Sequence, residues 1–250
     1  MSERKTEWMS QEGLSEKDPT KLFWRVIKLL REGNIKEAIE LSKDDIYIFP
    51  HLAIKYLKPG GGIPLEPITQ PTLAYLILKL FIENNCAECV KQIVREMPDK
   101  ISIAVGLIRL MNETKKAVEI IKSLLKDKDV AIEMLDVLSA MPNENLEPLL
   151  DEIMYIAKNE IDLKQHKALE ILTEFVDNRE VRKIFASFID DWDPEVRRIS
   201  IRALMHVEPD EELIERVKSA LRDEDEKELK AMLKRIIRGK HGRKSKNSSK

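Results

Sequence analysis

Apolar residues recur at spacings of three and four along most of the chain, which is the period of an amphipathic α-helix. Near the C-terminal end, one such stripe of small or apolar side chains consists of Val196, Ile199, Ser200, Ala203, Leu204 and Val207. The run Asp193-Pro194-Glu195 precedes it, and these residue types suit the cap and first turn of a helix. The pattern therefore predicts a helix that begins at Pro194 and buries this stripe.

The same stripe recurs at a nearly constant interval. If Ser200 marks its small central position, the comparable positions are Ala74, Ala104, Met134, Ala168, Ser200 and Leu229. Partner helices are predicted in each interval between these positions. Such self-similarity at a fixed period is typical of solenoids. We therefore predict an all-α fold, an α-solenoid of about seven stacked helical hairpins.

The chain outside the regular pattern divides into three segments. Residues 1–19 are polar and lack a sustained apolar period, so we expect a disordered leader before a solenoid that spans 20–238. Residues 59–71 hold four prolines and three consecutive glycines, which predicts an irregular loop inside the solenoid. Residues 239–250 are basic and polar, and we predict a disordered tail there.

The order Asp193-Pro194, Val196-Arg197, a small residue and then Ala203-Leu204 resembles the second helix of a HEAT-like repeat, in particular the short type of phycobilisome-lyase-like proteins. The resemblance is strongest over 190–207 and extends by period alone over about 71–238. It implies an armadillo-like, right-handed superhelix in which Arg197 is a structural arginine that bridges successive turns. A tetratricopeptide-type or armadillo-type array stays open as an alternative.

The composition favours helices over strands, since 35% of the residues are charged and only 5% are aromatic. Lysine and glutamate are abundant, a profile that fits an archaeal or heat-adapted member of such a family. The chain has no uncharged apolar run long enough to span a membrane, and its N-terminus lacks the hydrophobic segment of a secretory signal. We therefore expect a cytoplasmic protein with no membrane contact.

Patterns that would indicate catalysis are missing from the sequence. Cys86 and Cys89 form a lone C-x-x-C, which we interpret as two small residues on one helix face rather than a redox pair or half a zinc site. The four histidines form no His-Glu pair, unlike those of deoxyhypusine hydroxylase, a HEAT-like di-iron enzyme. No phosphate-binding glycine loop or catalytic triad stands out. We predict no enzyme activity, no metal and no cofactor.

The pattern then favours a non-catalytic scaffold or adaptor that binds a protein partner through the concave face of its second helices. The candidate partner-binding residues are Asp136, Glu170, Trp192, Arg198 and Arg202. An exposed Trp192 would anchor an interface. Packing of Trp192 against Phe188 or the next hairpin is nevertheless its expected fate.

A nucleic-acid-associated or ribosome-associated factor is the alternative. Residues 234–250 contain eight Lys or Arg and no acid, which leaves about −10 for the rest of a chain of formal charge −2. The candidate nucleic-acid-binding residues are Lys234, Arg235, Arg238, Lys240, Arg243, Lys244 and Lys246. A third possibility, a repair enzyme that resembles the helical-repeat DNA glycosylases, would need Trp192 and Asp193 exposed in a basic cleft.

Overall fold

The computed structural model describes residues 18–58 and 68–247, and every regular element in these ranges is helical. The first eight helices are α1 Pro19–Arg31, α2 Ile35–Ser42, α3 Phe49–Leu57, α4 Gln70–Glu83, α5 Ala87–Glu96, α6 Lys100–Glu113, α7 Lys115–Lys126 and α8 Ala131–Ser139. The others are α9 Leu150–Asn159, α10 Asp162–Leu172, α11 Arg179–Ser187, α12 Pro194–Leu204, α13 Glu211–Asp223 and α14 Lys227–Asn247. Short 3-10 turns lie at 143–145, 147–149 and 173–175.

The chain divides into two compact units, the first ending at Met141 and the second beginning at Pro142. In the first unit α4 packs on α6 and α6 on α8, so these three helices form one row. In the second unit α10 packs on α12 and α12 on α14, with α9, α11 and α13 as their partners. We call these two rows the second helices. Within each unit, successive hairpins pack on their neighbours as in an α-solenoid, which confirms the predicted fold class.

The repeat that was inferred from the sequence corresponds to the packed interior. All six central positions, Ala74, Ala104, Met134, Ala168, Ser200 and Leu229, are at most 1% exposed. A stripe with the helical period turns one face of each helix inward, and burial of that face supplies most of the stability of such a helix. The six predicted positions are therefore confirmed as core.

Gly106 allows α6 to lie unusually close to α4. A Cβ atom at this position would stand 3.0 Å from Leu78 Cδ1, 3.1 Å from Tyr75 N and 3.2 Å from Tyr75 Cα. Two of these three neighbours are backbone atoms, which cannot move away by a change of rotamer as a side chain can. A larger residue at 106 would therefore push the two helices apart.

Several boundaries differ from those expected. Helix α14 continues to Asn247, beyond the predicted end of the solenoid at residue 238, and the predicted disorder of the tail stays a prediction. One glycine weakens a helix by only about 1 kcal/mol relative to alanine, and the basic residues near the C-terminal end favour the negative pole of the helix dipole. Pro148 lies in the 3-10 turn that directly precedes α9.

The predicted leader lies outside the described residues except at its end. There Asp18 Oδ1 accepts a hydrogen bond from Thr20 N–H at 2.8 Å and caps α1. Most of the predicted interior loop, residues 59–67, also lies outside them, and its last two residues belong to the first turn of α4. Across the two described ranges, no helix is both long enough and apolar enough to cross a bilayer.

Candidate functional site

The turn that precedes α12 is held by hydrogen bonds on both sides. Asp193 caps α12, as predicted, because its Oδ1 accepts the N–H of Glu195 at 2.8 Å. Its Oδ2 lies 2.8 Å from Nε2 of His166 on α10. Burial raises the pKa of Asp193, but the hydrogen bonds from His166 and Glu195 outweigh burial and leave the pKa below its ordinary value. The carboxylate is thus ionised where it joins two second helices.

Arg197 fixes the same turn from the other side. Its Nη1 donates to the carbonyl oxygens of Asp191, at 2.9 Å, and Trp192, at 3.3 Å. Its Nε donates to Oε2 of Glu224 at 2.9 Å, and Glu224 lies in the turn before α14. One guanidinium therefore ties together two turns that are a repeat apart. This geometry fits the structural role that the HEAT-like resemblance implied for Arg197.

Glu224 is the buried partner in this arrangement, with 3% of its side chain exposed. Burial raises its pKa, but hydrogen bonds from the N–H of Glu226 and from Arg197 outweigh burial, so the pKa lies below its ordinary value. A buried carboxylate with these donors stays charged at neutral pH. The ion pair therefore keeps both turns in place.

Trp192 is 76% exposed, so the expectation that it packs against Phe188 or the next hairpin is wrong. The reason lies in the residues beside it. Asp193 uses its carboxylate for the cap and for His166, and Asp191 uses Oδ1 to accept the N–H of Asp193 at 2.9 Å. With both neighbours engaged within the turn, the indole between them faces solvent.

Carboxylates surround this turn. A cleft of about 280 Å³ between the turns before α12 and α14 is lined by Ile189, Asp190, Asp191, Arg197, Ala220, Asp223, Glu224, Asp225 and Glu226. The lining thus holds six carboxylates and one guanidinium, and that guanidinium is already paired. We call Trp192 together with residues 190–191 and 223–226 the acidic surface. The sequence analysis missed its acidic members, although each run of acids is visible in the sequence.

Two of the predicted partner-binding residues meet in a second cleft, of about 480 Å³, between α10 and α12. Its lining consists of Glu170, Thr173, Glu174, Val176, Glu195, Ile199, Arg202, Ala203 and His206. Glu170 and Arg202 are exposed on its walls, while Ile199 and Ala203 form a buried apolar part. This cleft is therefore lined by both charged and apolar groups.

The other predicted residues are placed differently. Arg198 is held by Glu195, and its Nη2 lies 3.2 Å from Oε2 of Glu226, so its charge is neutralised within the chain. Asp136 lies on α8, half-buried, in the first unit. Burial lowers the pKa of Lys100, and the carboxylates of Glu133 and Asp136 offset only part of that effect.

The basic residues of the alternative prediction lie on α14. Lys234, Arg235 and Arg238 are exposed there. The remaining four, Lys240, Arg243, Lys244 and Lys246, belong to the same helix, and their side chains lie outside the described part of the structure. The basic cleft that a glycosylase-like site would need is not found around Trp192 and Asp193, whose described surroundings are acidic.

Cys86 and Cys89 are joined by a disulfide, so their interpretation as two unlinked small residues is wrong. The spacing of three does place both on one side of the first turn of α5, and this brings the sulfurs together. Within 18–58 and 68–247, no group of three or more His, Cys, Asp or Glu is arranged to hold a metal ion.

Comparison with known proteins adds little. No family model matches the chain, and no curated protein matches it. Two solved structures are similar at 16% identity, and both are titled as engineered proteins from a structural genomics consortium. One covers 89% of this chain and 97% of its own length with a TM-score of 0.40. The other covers 80% and 59%, with a TM-score of 0.39.

Proposed function

We propose that the protein is a non-catalytic scaffold and that a protein partner docks on the acidic surface, with Trp192 as its anchor. The observation that carries the proposal is the 76% exposure of Trp192 on a backbone fixed by Arg197 and Asp193. Tryptophan is enriched among the residues that dominate binding energy at interfaces. A rigid turn also loses little conformational entropy when the indole is covered.

The charges around the indole define the partner. Six carboxylates line the adjacent cleft, and the one guanidinium among them is occupied by Glu224. Arg197 and Arg198 pair with Glu224 and Glu226, so a segment rich in Lys or Arg would meet mainly the four aspartates of this lining. One of its cations could also lie over the indole face. We therefore propose a basic peptide segment as the element that is recognised. Complementary charge would speed its association at low salt.

The second cleft gives the partner a longer path along the second helices. Glu195 follows the Trp192 turn and lines the cleft that holds Glu170 and Arg202. A partner chain that covers Trp192 and continues past Glu195 would enter the cleft between α10 and α12. Such a path supports the prediction that Glu170 and Arg202 contact the partner. Membership of a HEAT-like family and the cytoplasmic location remain predictions from the sequence.

An affinity capture from native lysate tests this proposal with three forms of the chain. The forms are the wild type, Trp192→Ala, and Tyr47→Ala as a matched control. Tyr47 is 69% exposed in the first unit and lies far along the chain from the acidic surface. Loss of an aromatic anchor weakens binding by about 2 kcal/mol or more, roughly thirtyfold in Kd. We expect Trp192→Ala to lose the partner and Tyr47→Ala to retain it.

A basic synthetic peptide array gives an independent measurement on purified protein. Lys/Arg-rich peptides should bind the wild type, and the affinity should fall when Asp190, Asp191 and Asp225 are changed together to Asn. Equal recovery of every protein partner by wild type and Trp192→Ala would refute the anchor. Preference for acidic over basic peptides would refute the proposed partner chemistry.

A second candidate function, contact with nucleic acid, is favoured by the exposure of Lys234, Arg235 and Arg238 on one helix. Each phosphate contact contributes about 0.7 to 0.9 to the slope of log affinity against log salt. Changing all three residues to Glu should therefore weaken binding to a random RNA or DNA and reduce that slope by about 2 to 3. The matched control changes Lys115, Lys126 and Lys128, exposed in the first unit, to Glu.

A further inference from the structure

We propose that Cys86 and Cys89 form a reversible dithiol–disulfide couple and that Cys86 supplies the sulfur that exchanges with external thiols and disulfides. The two residues are bonded in the structure, with their Cα atoms 5.3 Å apart. This separation is ordinary for a disulfide, so the bond forms without movement of the backbone. The site is in the first unit and is independent of the acidic surface.

The two sulfurs have different surroundings. Cys86 is the N-cap residue of α5, a helix of 10 residues, and is 6% exposed. Cys89 lies inside the first turn and is 1% exposed. The positive pole of a helix stabilises a thiolate at its N-terminal end, and a thiolate is the form that attacks a disulfide. Cys86 is therefore the sulfur better placed to react, and its residue is the less deeply buried of the two.

After reduction, each of the two sulfurs would have hydrogen-bonding groups within reach. No side chain caps α5 in the disulfide form, so a Cys86 thiolate could accept hydrogen bonds from the free N–H groups of the first turn. The Cys89 sulfur lies 3.7 Å from the carbonyl oxygen of Ile46. In the disulfide this sulfur carries no hydrogen, whereas a reduced Cys89 could donate its S–H to that carbonyl. Both redox states are therefore compatible with the same fold.

A small dithiol such as dithiothreitol reduces the disulfide in two steps. Its thiolate attacks the Cys86 sulfur, the Cys86–Cys89 bond breaks, and Cys89 leaves as a thiolate that takes up a proton. The second thiol of the reagent then attacks the mixed disulfide and releases Cys86. Overall, two electrons and two protons pass from the dithiol to the protein, and the reagent becomes a cyclic disulfide. Oxidation by a small disulfide such as oxidised glutathione reverses these steps.

Two single variants test which sulfur exchanges. Cys89→Ser leaves Cys86 alone, and Cys86→Ser leaves Cys89 alone. With a chromogenic disulfide reagent, the native Cys89→Ser protein should form a mixed disulfide at least tenfold faster than Cys86→Ser. The rate for Cys89→Ser should have a pH midpoint below the value of about 8.5 for free cysteine. Cys86→Ser should react fully only after unfolding in guanidinium.

The wild type tests the couple itself. After equilibration in ratios of reduced to oxidised glutathione, acid quench and alkylation, mass spectrometry should show one two-electron transition while circular dichroism stays constant. If a variant fails to fold, reduced wild type treated with a single equivalent of alkylating reagent answers the same question by peptide mapping. Labelling at Cys89, equal rates for the two variants, or reduction only after unfolding would each overturn the proposal.

Discussion

Nε2 of His166 lies 2.8 Å from Oδ2 of Asp193, so a side chain on α10 holds the carboxylate that caps α12. The contact is a direct polar link between the second helices of successive repeats. Apolar packing sets how closely two such helices approach, but it leaves them able to slide along one another. A hydrogen bond at the end of one helix fixes their relative position along that direction.

The two roles of Asp193 can be separated by substitution. Asparagine caps helices as well as aspartate does, so Asp193→Asn should lower the free energy of unfolding by less than about 1 kcal/mol. Alanine removes the cap and leaves His166 without its partner, so Asp193→Ala should lower it by about 2 kcal/mol. Urea denaturation of the three proteins measures both effects. Equal losses for Asn and Ala would show that the charge, rather than the cap, holds the turn.

Replacing Ser200 with alanine should stabilise the folded protein. Its Oγ is fully buried and has no hydrogen-bond partner, whereas three of the equivalent repeat positions are already alanine. A buried hydroxyl without a partner is unfavourable by about 1 to 3 kcal/mol, so Ser200→Ala should raise the unfolding free energy by about 1 kcal/mol. Thermal denaturation followed by circular dichroism provides the measurement.

Ser102 is the matched control for Ser200. It is also buried, but its Oγ donates to Oδ2 of Asp99 at 2.7 Å. Ser102→Ala should therefore lower the unfolding free energy by about 1 kcal/mol, opposite in sign to Ser200→Ala. If both variants shifted stability in the same direction, burial of a hydroxyl would not explain the effect at Ser200.

Gly106→Val tests the close approach of α4 and α6. Overpacking of this kind lowers stability by about 1 to 3 kcal/mol, because the backbone of Tyr75 stands in the way of the new side chain. Asn112→Val, on the exposed side of the same helix, should change the unfolding free energy by no more than about 0.5 kcal/mol. Chemical denaturation compares them, and a neutral Gly106→Val would mean that the two helices separate without loss.

The pKa values of Glu224 and Asp193 are both depressed in the folded protein, and both therefore contribute to the dependence of stability on pH. A depressed pKa means that the unfolded chain binds more protons, so the stabilisation is complete above the ordinary pKa values, 4.5 for Glu and 3.8 for Asp. It is lost as the pH falls through the folded values. Urea midpoints should therefore be constant above about pH 6 and fall below about pH 4.5.

Glu224→Gln identifies the source of this pH dependence. The variant should be less stable than the wild type at neutral pH, because Arg197 loses its buried ionic partner and keeps only the more distant Glu226. The difference between the two proteins should shrink as the pH falls below about 4.5, since protonation also neutralises Glu224 in the wild type. A difference that stays constant down to about pH 3 would assign the acid transition to other carboxylates.

The helices were predictable because the buried face of a helix requires apolar residues at spacings of three and four, and this pattern is visible in the sequence. Ala74, Ala104 and Ala168 are core residues for the same reason that Ser200 is, and one nearly constant repeat period locates all of them. The orientation of a single side chain in a turn leaves no such pattern. The exposure of Trp192 depends on which hydrogen bonds Asp191 and Asp193 make, and residue types alone do not determine these bonds.

The acidic surface left a signal that is visible in the sequence. Asp190 and Asp223 begin two acidic runs whose separation is close to one repeat. Equivalent turns of successive repeats are neighbours in a solenoid, so two charged runs at the repeat spacing predict one charged surface. The disulfide left a weaker signal, because a spacing of three places Cys86 and Cys89 together without showing whether they are bonded.

Helix α14 separates opposite charges within the second unit. It begins at Lys227, next to the acids at 223–226, and a helix of 21 residues rises about 30 Å before Asn247. Its basic positions from Lys234 onward therefore cannot fold back onto the acidic turn while the helix is intact. Part of the acidic turn is neutralised from α12 instead, by Arg197 and Arg198.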